Sequence, residues 1–258
     1  MKLSIIVPTL DGGVPRSVQA AVDNRQDVEL VVVKGVCPIA AARNEGLAKA
    51  TGEYVAWVDS DDEVTGEWLP EIMQSLEDNP DIVDFDTRVI WVDSSRPGYV
   101  MRRDYETGSV PPGRYRQDYL RGKIGGQLWC KVFRRSLFDG LFFEGAQYEE
   151  LAVMFELLLR VKSVRHIAKA LYIYNRRSTG LSQCVSGARD ITRVVDFAKG
   201  KPELHVGVCQ MAADYLRHSA VKPTDVVSFV RHSLVRVLIA RDVSLRIKVK
   251  CVLAALGK

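Results

Sequence analysis

The chain has 258 residues, 47% of them hydrophobic and 26% charged, with a formal net charge of +4. This length holds one large α/β domain, or one domain with a helical appendage, and the composition excludes a disordered chain. A charge this small does not by itself point to nucleic acid, and no apolar run approaches the length of a membrane-spanning helix.

In chain order, Leu3 to Val7 is a β-branched apolar run stopped by Pro8, which predicts a buried strand, with Asp11-Gly12-Gly13 as the loop after it. Val14 to Val22 predicts a helix and Glu29 to Val33 a second buried strand. Pro38 to Ala50, rich in Ala and Leu, predicts a helix with Gly52 as its stop signal. Tyr54 to Val58 is a third strand, followed at once by Asp59-Ser60-Asp61-Asp62. Glu67 to Leu76 predicts a helix that ends near Asn79-Pro80, and Ile82 to Phe85 and Val89 to Val92 read as two strands. Residues 93–118, rich in Gly, Pro, Arg and Tyr, read as an irregular loop. Trp129 to Phe133 predicts a strand, Glu149 to Leu159 a helix and Val164 to Ile173 a further strand. From Thr192 onward the pattern is helical, broken at Pro202, Pro223 and around Asp242. Alternating strands and helices favour an α/β fold, a mostly parallel sheet flanked by helices, with a helical C-terminal appendage. The expected division is a catalytic unit over residues 1–185 and a helical region over 186–258.

Five cysteines, Cys37, Cys130, Cys184, Cys209 and Cys251, form no C-x-x-C pair, which fits reduced packing cysteines rather than a disulfide framework or a zinc site. The opening Met1 to Pro8 reaches a proline too soon for a signal peptide. The expected location is therefore cytoplasmic, at most peripheral on the inner face of the cell membrane.

In an open α/β sheet, ligands bind beyond the carboxyl ends of the strands, where the third strand delivers Asp59, Asp61 and Asp62. Clustered carboxylates repel one another unless a cation or hydrogen-bond donors balance them. Oxygen ligands of this kind suit Mg²⁺ or Mn²⁺ bridging to substrate phosphates. The structural alternative is a solvated acidic turn that caps the next helix.

Five motifs in order now stand out: Ser4-Ile5-Ile6-Val7-Pro8-Thr9-Leu10; Ala42-Arg43-Asn44-Glu45-Gly46-Leu47, leading through Ala50-Thr51-Gly52-Glu53-Tyr54 to the D-x-D Asp59-Ser60-Asp61; Leu128 to Arg135; Tyr148-Glu149-Glu150-Leu151; and Tyr172 to Arg177, with Ser178 and Ser182 just beyond. The set resembles a bacterial-type family 2 glycosyltransferase of the GT-A fold over residues 3 to about 183. The resemblance implies inverting transfer of a sugar from a nucleotide-diphosphate donor to a glycan or lipid-linked acceptor. It places metal and diphosphate at the D-x-D acids, the metal at Asp61 first, with Asp59 and Asp62 contacting the ribose or helping to hold the metal site. It puts the catalytic base in the acid pair, at Glu150 first and Glu149 second, where the family usually has Glu-Asp. Such a base must stand within hydrogen-bond reach of the attacking oxygen. The acids have a simpler reading as favourable charges near a helix N-terminus.

Pro8 and Thr9 belong to the donor-binding set that the resemblance implies. Arg43 and Asn44, near a helix start, are candidates for a phosphate or sugar, or else for helix surface and capping. Trp129 would stack on a sugar or base, or pack in the core. Lys131 would meet a phosphate, and Arg176 is a candidate diphosphate contact, with a surface arginine as its alternative.

The sequence also departs from the family. The strand Glu29 to Val33 runs into Lys34-Gly35-Val36-Cys37-Pro38, without the usual base-binding Asp, and Arg43-Asn44 follows within ten residues. A helix and a strand are missing there, and Asp11 or Lys34 is the candidate for recognising the base. At the other end, Leu245, Val249, Val252, Leu253 and Leu256 share a helical face beside Arg246, Lys248, Lys250 and Lys258. Such a helix either lies on anionic lipid or packs on the domain with a solvated basic face. Two other readings compete with the transferase: a non-catalytic GT-A-like protein that binds a glycan or a partner enzyme, and a sugar nucleotidyltransferase. The second would carry a Gly-rich basic phosphate loop where Pro8 to Gly13 stands.

Overall fold

The computed structural model describes residues 2–144, 149–178, 188–218, 221–241 and 243–257. Tyr148, Ser182, Cys184, Asp242, Lys258 and the expected 185/186 boundary lie outside the described residues. In chain order the strands are β1 (Leu3–Thr9), β2 (Val28–Lys34), β3 (Tyr54–Trp57), β4 (Glu63–Val64), β5 (Ile82–Trp91), β6 (Tyr99–Met101), β7 (Gly108–Val110), β8 (Lys131–Arg134) and β9 (Val164–Arg176). The helices are α1 (Arg16–Val22), α2 (Ile39–Lys49), α3 (Trp68–Leu76), α4 (Pro112–Leu120), α5 (Glu150–Arg160), α6 (Ala188–Ala198), α7 (His205–His218), α8 (Thr224–Ile239) and α9 (Leu245–Ala255).

Among the described residues the strands form one sheet in the order β2-β1-β3-β8-β5-β9-β4, with β6 on β5 and β7 on β9. β1, β2, β3, β5 and β9 run one way, and β8 is reversed between β3 and β5. β2 is the edge, and the chain passes from it straight into α2.

Both faces of the sheet are covered, as continuous apolar strands require. Leu3, Ile5 and Val7 of β1 point into a core closed by Val18 of α1 and by Trp68, Leu69, Ile72 and Leu76 of α3. Ile6, Val31, Val33, Val55 and Trp57 point to the other face, into a larger core shared by α2, α4, α5 and the helices α6 to α9. α2 sits so close that a Cβ at Gly46 would lie 2.3 Å from Ile6 Cγ2, so glycine sets the approach of helix to sheet.

Residues 93–118 are not an irregular loop throughout: they contain β6, β7 and most of α4. Ile82 to Trp91 is one strand rather than two, because Asp84 and Asp86 are carried inside it with buried partners. β9 runs on to Arg176 and brings that motif into the sheet.

Candidate active site

Parallel β1 and β3 end at the same edge, so Thr9 and Asp59 emerge on the same side of the sheet. Arg43, on the first turns of α2, is buried there. Its Nη1 contacts Glu149 directly and lies 3.6 Å from Glu150 Oε2. Burial works against the charge on Arg43, but Glu149, Glu150 and Asp59 outweigh it and raise its pKa. Four groups from three separate stretches of chain therefore meet around one guanidinium: Arg43 from α2, Asp59 after β3, and Glu149 and Glu150 at the start of α5.

The two glutamates differ. Glu149 is 4% exposed and held by Arg43, whereas Glu150 is 20% exposed and stands farther from it. Burial raises the pKa of Glu150, Arg43 opposes the rise, and Glu149 and Asp59 add to it. The space beside Glu150 is kept open by Gly126, where a Cβ would come within 3.3 Å of Glu150 Cγ. Asp59 is half-buried, and its pKa is raised by burial, opposed by Arg43 and helped upward by Asp61 and Glu149.

The acidic loop is anchored from β9. Tyr172 donates its hydroxyl to Asp62 Oδ2 at 2.7 Å and accepts the Asp59 N–H at 3.2 Å. Asn175 gives its backbone N–H to Asp62 Oδ1 and its side-chain amide to the Asp61 carbonyl. Asp62 is buried with both oxygens engaged, and burial first, then Asp59, pushes its pKa to about 8. It points inward and holds the loop, while Asp61 stays exposed with Arg177 Nη1 3.6 Å away.

Other predicted residues take different positions. Asn44 exchanges two hydrogen bonds with the backbone of Phe143. Trp129 is buried and stacked on Tyr172 and Tyr174, with ring centroids 4.9 and 5.2 Å away. Lys131 is fully buried, and its ammonium donates to the carbonyls of Gly125 and Gln127, on either side of Gly126. Arg176 lays its guanidinium over Trp91 and donates to the Tyr99 hydroxyl, so Arg177 is the arginine beside Asp61. Pro8 is buried in β1. Thr9 donates to Asp11, whose carboxylate also takes the Gly13 N–H. The Gly13 and Thr9 hydrogen bonds, with Lys34 assisting, hold the Asp11 pKa down. Tyr172, Asn175 and Arg177 belong to the last motif, but only Arg176 is singled out there by sequence. Pairing of β4 with β9, through Val64 and Tyr172, is what brings these side chains to the acids.

For a divalent cation, Asp59 and Asp61 are the oxygen donors at this edge of the sheet. Among the described residues no three His, Cys, Asp or Glu side chains converge as a closed cage. Asp61 and Asp59 offer one or two carboxylates, the arrangement Mg²⁺ commonly uses when phosphates and water complete its shell.

The profile described as Glycosyl transferase family 2 matches residues 6–142. The uncharacterized glycosyltransferase YibD of Escherichia coli (strain K12) is 28% identical over 159 residues, covering 55% of this chain and 43% of YibD. Glycosyltransferase GlyG of Streptococcus pneumoniae serotype 4 is 28% identical over 174 residues, covering 60% of this chain and 55% of GlyG. The chain thus spans about half the length of the curated relatives it matches. Among solved structures, S. aureus TarS 1–349 in complex with UDP-GlcNAc aligns with a TM-score of 0.58 at 17% identity, over 98% of this chain and 79% of that one. That likeness shows the GT-A fold, and the profile covers just over half of the sequence. On fold and profile together, the chain belongs to glycosyl transferase family 2.

Proposed function

We propose that the chain transfers a sugar from a nucleotide-diphosphate donor to a hydroxyl of a glycan or lipid-linked acceptor, with inversion, and that Glu150 is the base. The observation that carries this reading is the convergence of Arg43, Asp59, Glu149 and Glu150 at the carboxyl edge of the sheet. Glu150 accepts the acceptor's proton as that oxygen bonds to the anomeric carbon and the bond from carbon to phosphate oxygen breaks. Arg43 holds Glu149 and keeps the acid pair in place. Asp61 and Asp59 would hold Mn²⁺ or Mg²⁺, which supplies charge neutralisation for the departing diphosphate. Arg177, beside Asp61, stands where it can meet the same phosphates. Asp11 and Lys34, at the ends of β1 and β2, are the groups left to contact the nucleotide base. The relatives' names and the UDP-GlcNAc bound to TarS support a nucleotide-sugar donor.

The test is a melting-temperature panel of UDP-, GDP-, CMP- and dTDP-sugars with and without Mn²⁺, followed by transfer assays with the donor that binds. A true donor raises the midpoint through mass action, and Asp61→Ala removes the metal-dependent part of that rise. Glu150→Gln keeps donor binding and lowers turnover by roughly 10²–10⁴-fold. If no donor shifts the midpoint in either metal condition, the non-catalytic, glycan- or partner-binding reading replaces this one.

A further inference from the structure

The C-terminal helices α8 and α9 lie side by side. Arg231 Nε donates to the Ala255 carbonyl at 2.6 Å, and Lys248 Nζ to the Leu238 carbonyl at 2.7 Å. Each helix buries one side against the rest of the protein, through Val226, Phe229, Val230 and Val237 of α8 and Cys251, Ala254 and Ala255 of α9. The opposite sides carry exposed apolar residues. On α8 these are Val235, Leu238 and Ile239; on α9 they are Leu245, Val249 and Leu253, continued by Leu256. Ile239 and Leu245 are 73% and 77% exposed. Spacings of three and four residues make each set a stripe, and both stripes face away from the core. Single exposed apolar residues are ordinary, but a joined patch marks a contact surface.

The charges around the patch identify what it contacts. From Arg231 to Lys258 there are seven Lys or Arg and one acid, Asp242, and one of the seven, Lys250, is paired with Asp214 of α7 at 2.6 Å. Arg236, Arg241 and Arg246 are exposed and hold no carboxylate among the described residues. On α9, Arg246 and Lys248 flank the stripe on its two sides. A protein interface depletes charge at its centre and matches it with the opposite sign. Apolar side chains ringed by cations of one sign instead suit a plane that is greasy below and negative above. Among the described residues no helix is long and apolar enough to cross a membrane, so contact would be along the surface.

We propose that the α8–α9 face docks on an anionic lipid bilayer, with its apolar stripes in the headgroup–acyl boundary and Arg236, Arg241 and Arg246 among the headgroups. This stands on the exposed face alone and holds whether or not the chain transfers sugar. The experiment is flotation of the full chain with phosphatidylcholine vesicles, with and without phosphatidylglycerol. Binding is expected only to the vesicles containing phosphatidylglycerol, and it weakens as salt rises. The double change Val249→Glu and Leu253→Glu lowers the bound fraction about tenfold or more. It leaves the far-ultraviolet spectrum and melting midpoint unchanged, since both residues are exposed. Arg236→Gln with Arg246→Gln removes most of the preference for anionic lipid. No flotation with either vesicle at low salt overturns the proposal, as does binding that survives the two glutamates. A dimer in sedimentation velocity that the glutamates dissolve, from protein that does not float, assigns the face to a second copy and also overturns it.

Discussion

Arg43 touches Glu149 and stands off from Glu150, and under the proposed function that difference leaves Glu150 as the acid free to take a proton. A base must be ionised to act, so with Glu150 as the proposed base kcat/KM is expected to rise with pH through its raised pKa, above the usual 4.5, in a pH–rate profile. Glu149→Gln removes a neighbouring negative charge and leaves Arg43 to Glu150. Both effects lower the pKa of Glu150, so the acid limb of the pH–rate profile moves to lower pH while activity at neutral pH persists. If Glu149 were the base, the same change would abolish turnover. The acid pair is legible in sequence; Arg43 is singled out there as a phosphate or sugar contact, and its pairing with Glu149 is not legible, because the contact joins residues 106 positions apart. Lys131 shows the reverse. Its motif is legible, but burial turns its ammonium onto the carbonyls of Gly125 and Gln127, on either side of the Gly126 that stands beside Glu150.

Strand β5 shows how a charge can be built into an element. Asp84 is fully buried, 3.3 Å from Arg103 Nε, 3.2 Å from His166 Nδ1 and 3.9 Å from Lys131 Nζ. Burial opposes its ionisation, but Arg103, the His166 hydrogen bond and Lys131 outweigh it, so its pKa falls below 3.8. The stability this gives is therefore present above pH 3.8 and is lost as pH falls through the lower, folded value. Asp84→Asn leaves the buried cations without their counter-charge and is expected to cost about 3–5 kcal/mol, read as a lower urea midpoint at neutral pH. An unchanged midpoint would show that the cations find other partners. The sequence pattern breaks β5 at Asp86-Thr87-Arg88, because β-patterns rarely carry polar residues inside, and the buried partners of Asp84 and Asp86 come from Arg103, β8 and β9. Runs such as Ile5-Ile6-Val7 and Leu30-Val31-Val32-Val33 needed no partner to be read. α4 escaped because Pro112 and Gly113 open it and its residues are mostly polar. Its one clue was Tyr115 and Tyr119, four apart and both buried.

At the scale of the molecule, the helical C-terminal region shares the larger core with α4 and α5. The larger core runs unbroken from Tyr119, Leu120, Phe155 and Leu158 to Ile191, Val194, Val208 and Leu216. Phe155 meets Phe197 edge to face at 5.5 Å, and Gly207 lies close enough to Leu120 that a Cβ there would be 2.7 Å from its side chain. A chain cut after residue 185 is expected to lose cooperative thermal unfolding and to precipitate, because one side of α5 would be stripped. A cut protein with a sharp melting transition near that of the full chain would show instead that the two parts fold independently. The sheet order adds a constraint in time. Tyr172 reaches Asp62 across 110 residues, and β8 must enter between β3 and β5 before the sheet is continuous. Closing such distant pairs is slow compared with local turns. As the chain leaves the ribosome, the acidic loop thus waits, free of its anchor, until β9 has been made.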